Sequence, residues 1–271
     1  LAGSDHDVTA SMGIALFSDA QGNSQDLLRW ADMAMYEAKA AGRDTSRFFS
    51  VETNNRVQAR QVMEAQLRQA LLNQEFSLHY QPRIDAKTRK AQGAEALLRW
   101  HNPVLGNVPP ANFIQLAEES GLIKPIGAWV LEQACKQLAA WSADPATERL
   151  TIAVNVSARQ FRHPDFCEQT LQLLQAHGAN PLRLKLELTE SMVLDNVDDT
   201  VEKMHALKSL GVRFSMDDFG TGYSSLAYLT RLPLDQLKID QSFVRNIGVQ
   251  ATDSMIIQTI IGMGNNLGLE V

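Results

Sequence analysis

The alternation of strand-like and helical segments beyond residue 75 is the feature that most limits the fold of this chain. Seven apolar segments have strand character: Phe76 to Tyr80, Gly93 to Arg99, Thr151 to Val156, Leu184 to Leu188, Val212 to Met216, Gln236 to Ile239, and Leu267 to Val271. Helical patterns fall between them, at Ala111 to Glu119, Pro125 to Trp141, Pro164 to His177, Val197 to Leu210, and Ala251 to Leu267. This alternation predicts an α/β protein with a parallel sheet, and its length favours a (β/α)8 TIM-like barrel over an open doubly wound sheet.

The C-terminal end of the sequence bears on the completeness of this barrel. The seventh predicted strand is still running at Val271, the last residue. A barrel without its closing strand would expose unpaired edges, so we expect the native protein to continue beyond Val271.

Residues 1–50 have a different pattern from the barrel segment. The stretch Val8 to Phe17 predicts a strand, and after a Gly22-Asn23 turn Ser24 can cap a helix that runs to about Lys39. One strand and one helix are too little to bury a core, so we interpret this segment as the tail of a domain whose beginning is absent. Residues 51–74 have apolar positions at helical spacing and predict a helix connecting two domains, the second covering 75–271.

Composition excludes several classes of function. The formal charge of −6 argues against unspecific binding of DNA or RNA, which needs a basic surface. Neither an apolar run of membrane-spanning length nor a signal peptide is apparent, so we expect a cytoplasmic protein. The two cysteines, Cys135 and Cys167, lack metal-ligand spacing, which argues against a disulfide framework or a zinc-thiolate site. Any metal would therefore have oxygen ligands.

Polar residues stand at the C-terminal ends of the predicted strands. In a barrel these ends converge on one rim. The residues that reach it are Glu95, Arg99, Asn155, Glu187, Glu190, Asp217, Asp218, Lys238 and Asp240. Each alone has a structural explanation as a turn former, a solvated helix start or an ion pair. Their occurrence on five separate elements favours a shared site.

The stretch FSMDDFGTGYSSL, residues 214–226, indicates the chemistry of that site. Turn formation alone could explain its aspartates and glycines. Neighbouring carboxylates repel each other unless a cation lies between them, and carboxylate and amide oxygens suit Mg²⁺ or Mn²⁺. Two such ions bridged by Asp217 could clamp a phosphoryl centre, with Lys238 close enough to hold or activate a water. Gly220 and Gly222 would let the following loop turn sharply beside the site.

These motifs resemble the EAL-domain family of cyclic-di-GMP phosphodiesterases, which act in bacterial second-messenger signalling. The resemblance lies in Glu95-Ala-Leu97, Asn155-Val-Ser157, Glu187-Leu-Thr-Glu190, Asp217-Asp-Phe-Gly-Thr-Gly222, Lys238-Ile-Asp240, Tyr80-Gln-Pro82 and the stretch from Asn112 to Ile123. Similarly, VTASMGI (residues 8–14), the stretch from Ala31 to Lys39 and Gly42-Arg43 resemble the C-terminal part of an α+β GGDEF diguanylate cyclase domain. The resemblance thus implies a tandem GGDEF–EAL protein, with a GGDEF fragment at 1–50 and a C-terminally incomplete EAL barrel at 75–271.

The resemblance implies roles for individual residues and a barrel whose first strand is antiparallel. Two Mg²⁺ or Mn²⁺ ions would be bound, one by Glu95, Asn155, Glu187 and Asp217, and the second by Asp217 with Asp218. Lys238 would contact the catalytic water, Asp240 would support the site and Glu190 would anchor the loop after Asp218. Gln81 and Arg99 would contact cyclic-di-GMP, and Leu98 would line its pocket. The implied reaction is hydrolysis of one phosphodiester bond to give linear pGpG.

One departure from the family pattern is expected to matter. The family's general-base glutamate lies in an AEGVE stretch that should follow LGLEV, and Glu270 is not that residue. The polypeptide as given should therefore show weak or no turnover. The alternatives are a receptor that binds cyclic-di-GMP without cleaving it and signals through the connecting helix, and a scaffold that forms a homodimer through the barrel.

Overall fold

The computed structural model describes residues 9–16, 23–194, 196–221, 226–248 and 251–271. The chain divides into two compact units, Leu1–Gln66 and Leu67–Val271. Within the described ranges, none of the helices is both long and apolar enough to span a bilayer.

The first unit contains two short paired strands and one helix. Strand β1 (Met12–Ile14) runs parallel to β2 (Ser46–Phe48), and helix α1 (Ser24–Ala40) connects them. The predicted cap was one residue off: Asn23, rather than Ser24, is the N-cap, because its side chain accepts hydrogen bonds from the backbone N–H groups of Gln25 and Asp26. Strand β2 had not been predicted. Val8, Phe17 and Gly22, which belonged to the predicted strand and turn, lie outside the described residues.

Helix α2 (Val51–Ala70) corresponds to the predicted connecting helix. It extends from the first unit into the second, where Leu67 and Ala70 are buried. Most side chains from residue 55 to residue 66 are exposed or only partly buried, in agreement with the polar composition of this part of the helix.

The second unit is built on a seven-stranded sheet whose strands follow chain order apart from β5. The strands are β3 (Phe76–Ile84), β4 (Ala91–Asn102), β5 (Gly106–Val108), β6 (Thr151–Asn155), β7 (Leu184–Thr189), β8 (Arg213–Phe219) and β9 (Gln236–Ile239). Strands β4, β6, β7, β8 and β9 pair in parallel, whereas β3 and β5 each run antiparallel to β4. The antiparallel first strand of the sheet is therefore confirmed.

Helices cover the sheet between its strands. They are α3 (Pro110–Ser120), α4 (Ile123–Ser142), α5 (Ala158–Phe161), α6 (Phe166–His177), α7 (Glu190–Leu194), α8 (Val197–Ser209), α9 (Leu226–Leu229), α10 (Gln241–Arg245) and α11 (Ala251–Asn266). The five long helices predicted from apolar spacing are all present, with ends that differ by one or two residues. The short helices had no periodic signal because four or five residues make little more than one turn.

Aromatic side chains form part of the core between the sheet and its helices. Trp100 and Phe113 are almost fully buried, and their rings meet edge to face with centroids 5.3 Å apart. Phe76 packs against both rings at 6.1 Å. The indole N–H of Trp100 donates to Glu75 Oε2 at 2.9 Å, so the burial of this polar group is compensated.

The sheet curls until its first and last strands face each other across the interior. Arg83 on β3 donates from Nη1 to Gln236 Oε1 on β9 at 3.3 Å, and Lys238 on β9 lies 3.1 Å from Glu95 Oε2 on β4. Contacts of this kind between strands at opposite ends of the sheet order are what a barrel produces.

Two sequence expectations for this unit need correction. The predicted strand from Leu267 to Val271 is reduced to one parallel bridge between Glu270 and Gln236, since α11 continues to Asn266 and Leu267 bonds back to its last turn. Strand β5 was not predicted, because three residues that form a hairpin with the end of β4 carry no alternating pattern.

Candidate metal centre

Three carboxylates from separate strands meet inside one end of the barrel. Glu95 lies on β4, Glu187 on β7 and Asp217 on β8, and one carboxylate oxygen of each lies within 4.8 Å of the others. Glu187 and Asp217 stand toward the C-terminal ends of their strands, and Glu95 stands near the end of the part of β4, Gly93–Ala96, that pairs in parallel with β6. This is the end where barrels assemble their sites. The strand-end pattern in the sequence thus brings these residues together as expected.

Lys238 lies at the centre of the three carboxylates. Its Nζ is 2.7 Å from Glu187 Oε2, 3.0 Å from Asp217 Oδ2 and 3.1 Å from Glu95 Oε2. Burial works against its positive charge, but the nearby carboxylates, Glu187 foremost, outweigh burial and raise the pKa of Lys238. The lysine therefore remains charged and offsets part of the repulsion among the acids.

Glu187 is the most enclosed of the three acids. Its side chain is fully buried, and burial raises its pKa to about 7 in spite of the opposing effect of Lys238. Its Oε1 atom is buried and has no hydrogen-bond partner within the described part of the chain. A buried acceptor of this kind is unfavourable unless it has a cation or donor as a partner.

Asn155 completes this group from the end of β6. Its Nδ2 donates to Glu95 Oε1 at 2.7 Å, which leaves the amide oxygen as a possible further ligand. Its register partner on the neighbouring strand is Glu187. Three carboxylates and an amide are a donor set that suits a hard divalent cation.

Asp218 and Asp240 form a second acidic pair beside the first group. Burial raises the pKa of Asp218, and the charges of Asp217 and Asp240 raise it further. The pKa of Asp240 is lowered, chiefly by the hydroxyl and backbone N–H of Ser242, which both donate to it. Asp218 therefore holds a proton more readily than its partner does. Ser242 was missed by sequence reasoning, although an Asp two residues before a Ser at a helix start is a known capping pattern.

The loop after Asp218 is attached to α7 through Glu190. The backbone N–H of Gly220 donates to Glu190 Oε2 at 3.3 Å. Gly220 has a φ of 101°, a conformation that glycine adopts without strain, and this agrees with the sharp turn expected there. Gly222, the second glycine of that expectation, lies outside the described residues.

The residues expected to bind substrate lie on the two antiparallel strands. Gln81 on β3 is exposed and stands directly opposite Glu95 in the strand register. Leu98 and Arg99 follow on β4 and are half-buried, with Arg99 Nη1 donating to the Leu98 carbonyl oxygen at 2.8 Å. Of these three, Gln81 is nearest the acidic group in register.

Comparison with known families gives two matches along the chain. The family described as EAL domain matches residues 64–271, and the family described as diguanylate cyclase, GGDEF domain matches residues 1–45. The GGDEF match therefore precedes the EAL match along the chain, in the order that the sequence motifs indicated.

Two relatives from Pseudomonas aeruginosa illustrate the similarity. The bifunctional diguanylate cyclase/cyclic di-GMP phosphodiesterase MucR is 41% identical over 264 residues, which are 97% of this chain and 38% of MucR. The cyclic di-GMP phosphodiesterase NbdA is 40% identical over 264 residues, which are 97% of this chain and 34% of NbdA. This chain thus spans little more than a third of the length of these relatives.

A solved structure shows the same fold. The PaMucR phosphodiesterase in its c-di-GMP complex superposes with a TM-score of 0.74 and 42% identity, over 76% of this chain and 83% of that one. The expected TIM-like barrel, preceded by a GGDEF fragment, is thereby confirmed.

Proposed function

This chain belongs to the EAL domain family, and we propose that it hydrolyses cyclic-di-GMP to linear pGpG as a metal-dependent phosphodiesterase. The observation that carries the proposal is the convergence of Glu95, Glu187 and Asp217 around Lys238. A site for binding alone would not require three carboxylates so close together, since they repel the phosphates of the ligand unless metal ions offset their charge.

The residues present fit a divalent metal. The buried, unpartnered Oε1 of Glu187 is the strongest indication, because a carboxylate oxygen without a donor is expected where a cation belongs. We assign Glu95, Asn155, Glu187 and Asp217 to one ion and Asp217 with Asp218 to a second, with Mg²⁺ or Mn²⁺ as the metal. When bound, such ions supply Lewis acidity at the phosphoryl oxygens and lower the pKa of a bound water.

Lys238 is the residue we assign to the attacking water. Its ammonium lies among the metal-binding carboxylates and can donate to a water that one of them also contacts. Hydrolysis then forms one bond from the water oxygen to phosphorus and breaks one phosphodiester P–O bond. The water loses one proton, and the leaving oxygen gains one, so that the products are a phosphomonoester and a free hydroxyl. As a fixed cation, Lys238 also stabilises the negative charge that develops on the phosphoryl oxygens.

Other residues bind the substrate or hold the site in place. Arg99 would contact a phosphate or base of the dinucleotide, Gln81 would donate to it, and Leu98 would provide an apolar wall. The Glu190 carboxylate accepts a hydrogen bond from the backbone N–H of Gly220. The Asp240 carboxylate accepts one from the backbone N–H of Ser242 and also interacts with the side chain of Asp218. We assign Glu190 and Asp240 to positioning the Asp217–Asp218 segment and the loop that follows it.

The domain assignment is part of the same proposal. We assign residues 1–50 to a GGDEF fragment, 51–74 to a connecting helix and 75–271 to the phosphodiesterase barrel. Cyclic-di-GMP as the substrate, a cytoplasmic location, where this messenger would be met, and a homodimer formed through the barrel belong to the proposal for the whole protein.

A product assay tests the function directly. The protein at its natural length is incubated with cyclic-di-GMP and Mg²⁺, with and without a chelator, and pGpG is measured by chromatography. We expect product that the chelator abolishes. Binding of cyclic-di-GMP without product over long incubation would overturn the enzyme assignment in favour of the receptor.

A further inference from the structure

A polar cavity of about 310 Å³ lies at the end of the barrel opposite the candidate metal centre. Five cations line it, together with a single carboxylate: Arg83, Arg149, Arg183, Lys185, Arg213 and Glu270. In a chain whose formal charge is −6, a concentration of positive charge in one cavity is unusual. None of these residues has a role in the proposed hydrolysis.

The cations come from different elements and are held close together by the barrel. Arg83 is on β3, Lys185 is near the start of β7, and Arg213 is the first residue of β8. Lys185 and Arg213 are aligned partners in the β7–β8 register. Like charges directly opposite each other on neighbouring strands destabilise a sheet unless an anion lies between them.

Lys185 is buried in this cavity, with a side-chain exposure of 3%. Its Nζ donates to Gln236 Oε1 at 2.8 Å and to Glu270 Oε2 at 3.2 Å. Glu270 is the only carboxylate of the lining and is itself 57% exposed, so this one partner is already used by one cation. Arg149 has a carboxylate partner outside the lining, since its Nε lies 3.8 Å from Glu148 Oε1. Three positive charges of the lining, those of Arg83, Arg183 and Arg213, remain without an ion pair among the described residues.

The arginines have unused donors. Arg83 donates to Thr151 Oγ1 at 2.5 Å and to Gln236 at 3.3 Å, both neutral acceptors, and Arg183 donates to the Arg149 carbonyl oxygen at 3.0 Å. The Nε atoms of Arg83 and Arg183 are buried and have no partner within the described ranges. Nor does a carboxylate there form an ion pair with Arg213. Buried donors of this kind need an acceptor from outside the chain.

From this geometry we propose that the cavity is an anion site that binds a phosphate group, supplied as inorganic phosphate or by a small phosphomonoester. Guanidinium groups match tetrahedral oxyanions through paired N–H donors, and buried lysine adds a point charge. The volume suits a small ligand and is too confined for a protein segment or a nucleic-acid strand.

The site is separate from the metal centre. Lys185 precedes Glu187 by two residues on β7, which places their side chains about 6.6 Å apart along the strand, at successive levels of the interior. The carboxylates at one level repel a free anion, whereas the cations at the other level attract it. The two sites therefore differ in the charge of the ligand they accept.

Calorimetric titration with inorganic phosphate, at fixed ionic strength and with chelator to remove divalent metals, tests the proposal. We expect inorganic phosphate to bind saturably. Separate titrations use glycerol 3-phosphate as the phosphomonoester probe and chloride as the nonspecific anion. Arg213→Gln should weaken phosphate binding about tenfold, because one charge-assisted hydrogen bond is lost, and the double variant Arg213→Gln/Arg149→Gln should weaken it further. Arg149 is exposed and Arg213 is half-buried, so neither substitution should prevent folding. Lys185→Met is avoided as a test because Lys185 is buried and its loss could prevent folding.

The matched control is Arg56→Gln, which removes one exposed charge on α2, away from the cavity lining. It should bind phosphate like the parent protein. If glycerol 3-phosphate binds more tightly than inorganic phosphate, the ligand is a phosphomonoester; the reverse order identifies the free ion. Binding no stronger than that of chloride, or equal binding by the parent and the Arg213 variants, would overturn the proposal.

Discussion

At the scale of single residues, the candidate metal centre brings together carboxylates that would repel one another without a cation. In the present arrangement Lys238 supplies that cation and contacts all three carboxylates. Its contacts also mean that each acid is held in position before a metal binds. Changing any one of them alters the charge balance of the whole group, so effects at this site should be large and local.

In the protein at its natural length, Glu95→Ala should abolish metal-dependent turnover and leave the fold intact. The substitution removes one carboxylate that we assign to the metal, one partner of Lys238 and the acceptor of Asn155. Loss of a direct ligand should lower Mn²⁺ affinity by at least about 100-fold, the upper range for changes to outer partners. Calorimetry would measure that affinity and circular dichroism the fold. Glu202→Ala, an exposed acid on α8, is the matched control and should leave both unchanged. Full activity in Glu95→Ala would contradict the metal assignment.

In the protein at its natural length, Asp218→Asn should leave the first proposed ion bound and weaken binding of the second. Asp218 has a φ of 53°, and asparagine tolerates this left-handed conformation, so the backbone should keep its path. We expect turnover to fall about tenfold to a hundredfold and to recover in part at high Mn²⁺. A titration of turnover against Mn²⁺ measures this recovery. A loss of activity that added metal does not change would argue against a second ion.

At the scale of elements, the barrel depends on close approaches between strands that only small residues allow. Gly93 on β4 faces Thr151 on β6, its partner in the parallel register. A Cβ at Gly93 would lie 2.2 Å from the backbone carbonyl oxygen of Thr151. Because β4 carries Glu95 and Arg99, an error in this pairing would displace the site as well.

Gly93→Ala should therefore destabilise the protein by about 3 kcal/mol or more, at the upper end of overpacking costs. Urea unfolding measures the change. Gly262→Ala is the matched control: this glycine lies in α11, is exposed and has no heavy atom within 4 Å of an added Cβ. It should be neutral or stabilising by up to about 1 kcal/mol, because alanine favours helix. Equal effects of the two substitutions would argue against the close approach of β4 and β6.

At the scale of the whole molecule, burial between the sheet and its helices determines which side chains can react with reagents in solution. Cys135 on α4 is 1% exposed, and burial, with the charge of Glu132, raises its pKa to about 11. Thiolate is the reactive form, so two conditions limit its chemistry: access and deprotonation. We expect the thiol to become accessible and readily deprotonated only when the barrel unfolds around it.

In a Cys167→Ser variant, labelling of Cys135 by a thiol reagent at pH 8 should report global unfolding. We expect the native rate to be at least roughly a thousandfold below the rate in denaturing urea, as the stability of a folded domain implies. The ratio of the two rates is the measurement. Fast labelling under native conditions would show that α4 separates from the sheet without unfolding of the barrel.

The local pattern of the sequence was sufficient to predict the long helices of the barrel, most of its strands and the acids at its rim. Short, nearly continuous apolar segments predict the strands of a parallel sheet, because both faces of such a sheet are buried. Carboxylates at the C-terminal ends of these strands then meet at one end of the barrel. Glu95, Glu187 and Asp217 were therefore found from sequence, whereas the roles assigned to Gln81, Leu98 and Arg99 rest on resemblance and remain predictions. The Asn23 cap, strand β5 and the shortened last strand were missed because they depend on one or two hydrogen bonds rather than on a periodic pattern.

Only the tertiary structure decided which charges meet. The position of Lys238 between three carboxylates, and the gathering of Arg83, Lys185 and Arg213 at the other end, depend on the curvature and register of the sheet. Residues more than a hundred positions apart come within hydrogen-bond distance only when the sheet has curled, as Lys238 and Glu95 do. The sequence by itself determined the elements and the chemical types at their ends; barrel closure determined the distances, since these are set by long-range packing and not by any local preference.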